Sequence, residues 1–105
     1  RVSPIRGTKT VAEGIACSNP IRGAQILSAA RDSGGFVMAV SEEEINQLHG
    51  IAKDGIFVEP TSAVVGAALG RLIGGGIIGK NDVALGILTG IGLKASYYYD
   101  NIHLT

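Results

Sequence analysis

The stretch GIFVEPTSAVV, residues 55–65, joins two kinds of secondary structure. Its apolar run at 56–60 is of strand type and is ended by Pro60, because proline cannot donate a hydrogen bond to a neighbouring strand. A helix is predicted from Thr61 to about Ile73. Its own apolar residues lie on nearly all of its faces, and the glycines at 74–76 end it. The stretch therefore predicts a strand that passes directly into a helix buried on two sides or against a missing partner.

The same alternation of strands and helices continues on both sides of this stretch. Two further apolar runs of strand type lie at 36–40 and 83–90. One helix is predicted within residues 19–35, where Gly34 and Gly35 end it. This order predicts an α/β fold, with a short parallel sheet in a three-layer α/β/α arrangement.

Ser41 marks the start of another predicted helix. It offers a side-chain cap, and Glu44 three residues later completes a capping box. The apolar face of that helix consists of Ile45, Leu48 and Ala52, and Gly55 ends it.

Composition narrows the class of protein. The chain has 105 residues, a length typical of a single domain. It contains nine basic and nine acidic residues, and 5% of its residues are aromatic. A balanced charge and few aromatic rings argue against a nucleic-acid partner. No apolar stretch approaches the ~18 residues of a membrane span. The single cysteine, Cys17, fits a reducing compartment, and we expect a cytoplasmic protein.

Two glycine-rich motifs resemble nucleotide sites but lack the required context. Residues 90–95 fit G-x-G-x-x-G/A, yet only ten residues follow Ala95, too few for the helix, strand and acidic residue that complete this fingerprint. Residues 74–81 follow a helix and end in Asn81, where a phosphate loop needs a hydroxyl. His49 and His103 have no ligand spacing around them, so no metal site is predicted.

Polar residues cluster where two predicted strands end. Glu59, Thr61 and Ser62 follow one strand, and Thr89 and Gly90 follow another. The carboxyl ends of parallel strands form the ligand-binding edge of an open sheet, so these residues predict a functional edge. The alternative is structural: Thr61 or Ser62 caps the following helix, and Thr89 is an ordinary turn residue.

Three segments resemble the C-terminal part of the threonine synthase family, pyridoxal-phosphate enzymes of the tryptophan-synthase β type, or fold type II. They are TVAEGIA at 10–16, GIFVEPTSAVV at 55–65 and VALGILTGIGLK at 83–94. The resemblance implies that residues 1–105 are the C-terminal segment of a cofactor-binding domain. It also implies conversion of O-phosphohomoserine and water to threonine and phosphate, and a homodimer.

The resemblance also implies roles for four residues. The hydroxyl of Thr89 would meet the pyridine nitrogen of pyridoxal phosphate, and Gly90, with Gly92, would let the backbone turn tightly beside the ring. Gly14 would pass close to the ring, and Glu59 would lie near the cofactor pocket. No catalytic residue is expected here, because the family's Schiff-base lysine and phosphate cradle precede this segment.

Two alternatives stay open. AEGIA is close to the ADGIA of threonine and serine dehydratases, which favours a dehydratase or β-replacement enzyme of the same fold. The other alternative is a free-standing α/β module that binds a ligand or partner without catalysing a reaction.

The lysines of this chain do not replace the family's Schiff-base lysine. Lys9, Lys53, Lys80 and Lys94 sit in motifs unlike that of the family lysine, and Lys94 is interpreted as structural or solvent-facing.

Overall fold

The computed structural model describes residues 2–7, 9–47 and 55–99. Four α-helices and two short 3-10 turns form in these residues. In chain order they are the first 3-10 turn Glu13–Ile15, α1 Gly23–Asp32, α2 Glu42–Asn46, α3 Pro60–Gly74, the second 3-10 turn Gly92–Ala95 and α4 Ser96–Tyr99.

The first two helices begin and end through local signals. α1 is followed by Gly34 at a φ of 68°, a conformation that glycine adopts without strain. α2 begins with the predicted capping box: Ser41 Oγ accepts from the Glu44 N–H at 3.2 Å, and Glu44 Oε2 accepts from the Ser41 N–H at 2.6 Å. α2 ends at Asn46, and its expected continuation through Leu48 and Ala52 lies outside the described residues.

The central helix α3 matches its prediction to within one residue at each end. Glu59 precedes it in an extended conformation, and Pro60 occupies the first helical position, where its missing N–H costs nothing. At the other end Gly76 adopts a φ of 71° and donates its N–H to the carbonyl of Ile73. The glycine-rich segment is therefore a helix terminus and turn, and not a phosphate loop.

The parallel sheet is not confirmed. Residues 36–40, 56–60 and 83–90 form no β-strand, and the described chain shows one isolated antiparallel bridge, between Val58 and Ile91. Around it the Glu59 N–H donates to the Gly90 carbonyl at 3.2 Å, and the Gly92 N–H donates to the Phe57 carbonyl at 3.0 Å. A parallel strand needs a neighbour of the same direction, and the described residues provide none.

The buried core is small. Ala12, Ile45, Val58 and Ala63 pack together where α2, α3 and the first 3-10 turn meet. The accessible surface is 8080 Å², whereas a folded chain of this length exposes about 5,500 Å². Much of the apolar side-chain surface therefore lies uncovered.

Part of the uncovered surface lies on what we call the apolar segments, residues 36–40 and 83–88. Val83 is 100% exposed and Leu85 90% exposed, and Phe36 and Val37 are also exposed. One side of the second segment lies on α3, where a Cβ added to Gly86 would meet Val65 Cγ1 at 3.1 Å. This explains the glycine within the predicted strand: the backbone of 83–88 runs very close to α3.

Candidate functional site

Two neighbouring hydroxyls at the start of α3 hold two distant segments of the chain. Thr61 Oγ1 accepts a hydrogen bond from the Gly14 N–H at 3.0 Å, and Ser62 Oγ accepts one from the Gly90 N–H at 2.8 Å. We call these four residues the hydroxyl clamp. The expectation that Thr61 or Ser62 caps α3 is wrong, because Glu59 is the N-cap residue and no side chain caps the helix.

The clamp brings together the residues that the sequence singled out. Glu59 and Gly90 are joined by a backbone hydrogen bond, Gly14 is bound to Thr61, and Thr89 lies beside Ser62 with their oxygens 3.5 Å apart. The predicted meeting of two segment ends is therefore observed. The two ends approach in antiparallel directions, however, and not as neighbouring parallel strands.

At three positions glycine is required because there is no room for a side chain, and not because the backbone adopts a conformation with positive φ. A Cβ on Gly14 would lie 2.8 Å from Thr61 Oγ1, and one on Gly92 would lie 2.6 Å from the Phe57 ring. A Cβ on Gly90 would overlap the Glu59 side chain. Gly90 and Gly92 do not have positive φ, and both pack closely against residues 57–59.

Ser62 and Thr89 differ in their access to solvent. Ser62 is 1% exposed, whereas the Thr89 side chain is exposed. Ser62 Oγ already accepts the Gly90 N–H, and its remaining hydrogen-bond partner among the described residues is the Thr89 hydroxyl. The pair thus links a buried, fixed hydroxyl to one that a ligand can reach.

A cleft of about 330 Å³ opens beside the clamp. Its polar lining includes Glu13, Glu59, Thr61, Lys94 and Tyr97. The hydrogen bond between the Tyr97 hydroxyl and Glu13 raises the pKa of Tyr97, and the negative charges of Glu13 and Glu59 add to this effect. Lys94 also lines this cleft, whereas the sequence analysis had interpreted it as structural or solvent-facing.

The loop that carries Gly14 has a second anchor on α2. Glu42 Oε2 accepts from the Val11 N–H at 3.0 Å. A hydrogen bond from the Thr10 side chain, together with that from the Val11 N–H, holds the pKa of Glu42 below its usual range. The carboxylate is therefore ionised at neutral pH and binds residues 10 and 11.

Glu13, Tyr97 and Glu42 were not identified from the sequence. Glu13 lies within the quoted AEGIA segment and could have been included on that basis. Tyr97 and Glu42 carry no local signal, because a tyrosine run and a triple-glutamate helix start are common surface patterns. Their positions depend on contacts with residues far away in the chain.

A metal-binding cluster and a membrane-spanning helix are both absent from the described ranges. Residues 2–7, 9–47 and 55–99 contain no group of three His, Cys, Asp or Glu side chains arranged to hold a metal ion. No helix in these ranges is long and apolar enough to cross a membrane. His49 and His103 lie outside the described residues.

Comparison with known proteins gives consistent matches. The family model described as "Pyridoxal-phosphate dependent enzyme" matches residues 1–90. Threonine synthases from Methanocaldococcus jannaschii and Methanosarcina acetivorans are each 39% identical over 95 residues, covering 89% of this chain and 24% of the relative. A threonine synthase from Halalkalibacterium halodurans is 35% identical over 92 residues, covering 86% of this chain and 26% of the relative. The chain thus spans about a quarter of the length of these curated relatives.

Proposed function

We propose, on the premise that this chain belongs to the family of pyridoxal-phosphate dependent enzymes, that it forms one wall of the cofactor site of a threonine synthase. The observation that carries the proposal is the hydroxyl clamp, which fixes Gly14, Thr89 and Gly90 around the start of α3. The matches to threonine synthases support the choice of enzyme within the family.

The residues present fit the ring portion of pyridoxal phosphate. Thr89 offers an exposed, neutral hydroxyl, which can share a hydrogen bond with a pyridine nitrogen without forcing a proton onto it. Gly14 and Gly90 keep the backbone free of side chains at two points where a Cβ would meet Thr61 or Glu59. Pyridoxal phosphate, when bound, supplies an electron sink for reactions at amino-acid carbon atoms.

Each of the four proposed cofactor-binding residues has a distinct task. Thr89 binds and orients the ring through its nitrogen. Gly14 and Gly90 form backbone walls at its two sides, while Glu59 holds Gly90 through the hydrogen bond from its own N–H. In this role the Glu59 carboxylate covers Gly90 and adds negative charge to the adjoining cleft.

The whole enzyme would convert O-phosphohomoserine and water to threonine and phosphate. In this proposal residues 1–105 are the C-terminal segment of its cofactor-binding domain. The Schiff-base lysine and the phosphate cradle belong to an N-terminal part of the same protein, so this chain alone is inactive. The full-length protein is a cytoplasmic homodimeric lyase that takes a small amino-acid substrate.

The dehydratase alternative keeps the same fold and cofactor and differs in substrate and reaction. AEGIA favours it, whereas the named relatives favour threonine synthase. The free-standing module is disfavoured by the uncovered apolar segments, because monomeric proteins rarely expose apolar patches above a few hundred Å².

Reconstitution of the full-length protein tests the proposal. With pyridoxal phosphate it should release phosphate from O-phosphohomoserine and form threonine, while serine and threonine should give little or no keto acid. The isolated chain, treated with pyridoxal phosphate and borohydride, should gain no stoichiometric adduct on one lysine. A full-length protein that binds no pyridoxal phosphate would refute the proposed function, and rapid deamination of threonine would move it to the dehydratases.

A further inference from the structure

Ser62 stands out because it is a fully buried hydroxyl with two partners on another segment. It is 1% exposed, and it contacts both the Gly90 N–H and the Thr89 hydroxyl, 28 and 27 residues away in sequence. Thr61 is its natural comparison. That hydroxyl also accepts a glycine N–H, but its partner is Gly14 on a different segment, and no hydrogen bond among the described residues joins it to Thr89.

The hydrogen-bond inventory of Ser62 constrains the direction of its proton. A hydroxyl has one proton to donate and two lone pairs that accept. The Gly90 N–H occupies one lone pair at 2.8 Å, and Thr89 Oγ1 lies 3.5 Å away, where by geometry either hydroxyl can be the donor. A buried hydroxyl proton without an acceptor is unfavourable. Donation from Ser62 to Thr89 gives the Ser62 proton an acceptor and is therefore the favoured arrangement.

Donation in this direction has a consequence for Thr89. Its oxygen accepts from Ser62, so its own proton is free to point toward the exposed side. Thr89 then presents a donor, which is the complement of an unprotonated aromatic nitrogen and a poor partner for a protonated one.

We propose that Ser62 is a positioning residue that makes Thr89 a hydrogen-bond donor toward an unprotonated ring nitrogen of the bound cofactor. This inference rests on the proposed function, because it assigns the ring nitrogen as the partner of Thr89. Ser62 itself does not touch the cofactor. It acts by fixing the direction of the neighbouring hydroxyl and the backbone of Gly90.

The experiment uses the full-length protein loaded with pyridoxal phosphate labelled with ¹⁵N in the ring. The variants are Ser62→Ala, Thr61→Val as the matched control, and Thr89→Val. Both Ser62→Ala and Thr61→Val leave a glycine N–H without its hydroxyl acceptor. A purely structural role of Ser62 would therefore give the two variants the same phenotype.

Ser62→Ala is expected to shift the ring-nitrogen resonance and to raise the cofactor dissociation constant about threefold to tenfold, the effect of losing one hydrogen bond. Thr61→Val should raise the dissociation constant without shifting that resonance. Ser62→Cys, which keeps the shape of the side chain but is somewhat larger and donates only weakly, should give a shift between those of wild type and Ser62→Ala.

The outcomes separate the two proposals. If Thr89→Val shifts the ring-nitrogen resonance and Ser62→Ala leaves it at the wild-type value, the role of Ser62 is refuted while the proposed cofactor site stands. Equal shifts in Ser62→Ala and Thr61→Val would likewise reduce Ser62 to a structural residue. If Thr89→Val itself leaves the resonance unchanged, the assignment of Thr89 fails and the inference fails with it.

Discussion

The hydroxyl clamp and the apolar segments differ in how far their groups have found partners within this chain. In the clamp, buried Ser62 and its neighbour Thr61 each have a backbone partner at 3.0 Å or less. In the apolar segments, residues of strand type such as Val83 and Leu85 are almost fully exposed and form no strand. Hydrogen bonds between a few residues can form within a short chain, whereas a sheet and its covering layers need neighbouring elements on both sides.

The largest expected effect concerns the apolar segments in the isolated chain. Because Val83, Leu85, Phe36 and Val37 are uncovered, the isolated chain should self-associate and bind an apolar dye strongly. Sedimentation velocity and dye fluorescence measure this, and Leu85→Lys should weaken both. A compact monomer that binds no dye would mean that the uncovered surface is closed by this chain itself, and would favour the free-standing module.

The next effect is expected at the clamp, from Gly90→Ala in the full-length protein. The new Cβ would overlap the Glu59 side chain, which must move away from its place beside the site. We expect pyridoxal-phosphate affinity to fall about tenfold, equivalent to roughly 1.4 kcal/mol, as measured by equilibrium titration.

Gly70→Ala is the matched control for this change. Gly70 lies within α3, and a Cβ there would meet nothing within 4 Å. Alanine in a helix interior is more favourable than glycine by about 0.5–1 kcal/mol, so the control should bind cofactor normally and unfold at slightly higher temperature. Equal losses in both variants would show that the clamp geometry does not govern binding.

A smaller loss of cofactor binding is expected from Thr89→Ala. Removing one hydrogen bond to the ring should cost about 1 kcal/mol of binding free energy. Turnover should fall by more than binding, because the altered ring nitrogen changes the capacity of the cofactor to accept electrons. Normal turnover with an unchanged cofactor spectrum would remove Thr89 from the site, while a matching loss of unfolding free energy would indicate a structural role.

The smallest effect is expected from Glu42→Gln, through its anchoring of residues 10 and 11. Since hydrogen bonds lower the pKa of Glu42 in the folded protein, the ionised form stabilises the fold at pH values above the ordinary glutamate pKa of about 4.3. This contribution is lost as the pH falls through the lowered folded-state pKa. Wild type and Glu42→Gln should therefore differ in urea midpoint at pH 7 and converge in acid, once the pH is below the lowered folded-state pKa of Glu42.

Glu43→Gln provides the control for Glu42→Gln, because it removes the same charge from an exposed neighbour on the same helix. Its difference from wild type should be smaller at pH 7. A pH profile shared by the two variants would assign the effect to the overall charge of α2 and not to the hydrogen bonds with residues 10 and 11.

Local signals predicted the helices well because they depend on neighbouring residues. The Ser41 capping box and the boundaries of α3 at Pro60 and Gly74 are set by side chains and backbone restrictions within a few positions. The roles of Thr61 and Ser62 were not predictable in this way. At a helix start the local interpretation is capping, and only the tertiary structure shows that these hydroxyls bind Gly14 and Gly90 of distant segments.

By itself, the sequence determined the positions of α1 and α3, the start of α2, the order of apolar runs and the family resemblance carried by its three motifs. The tertiary structure decided which polar residues meet: it joined Glu59 to Gly90, set Ser62 beside Thr89 and showed that Gly90 and Gly92 serve close packing. The physical reason is the range of the interactions. Caps and helix ends are settled over three or four residues, whereas a strand or a binding site exists only when segments remote in sequence bring their hydrogen-bonding groups together.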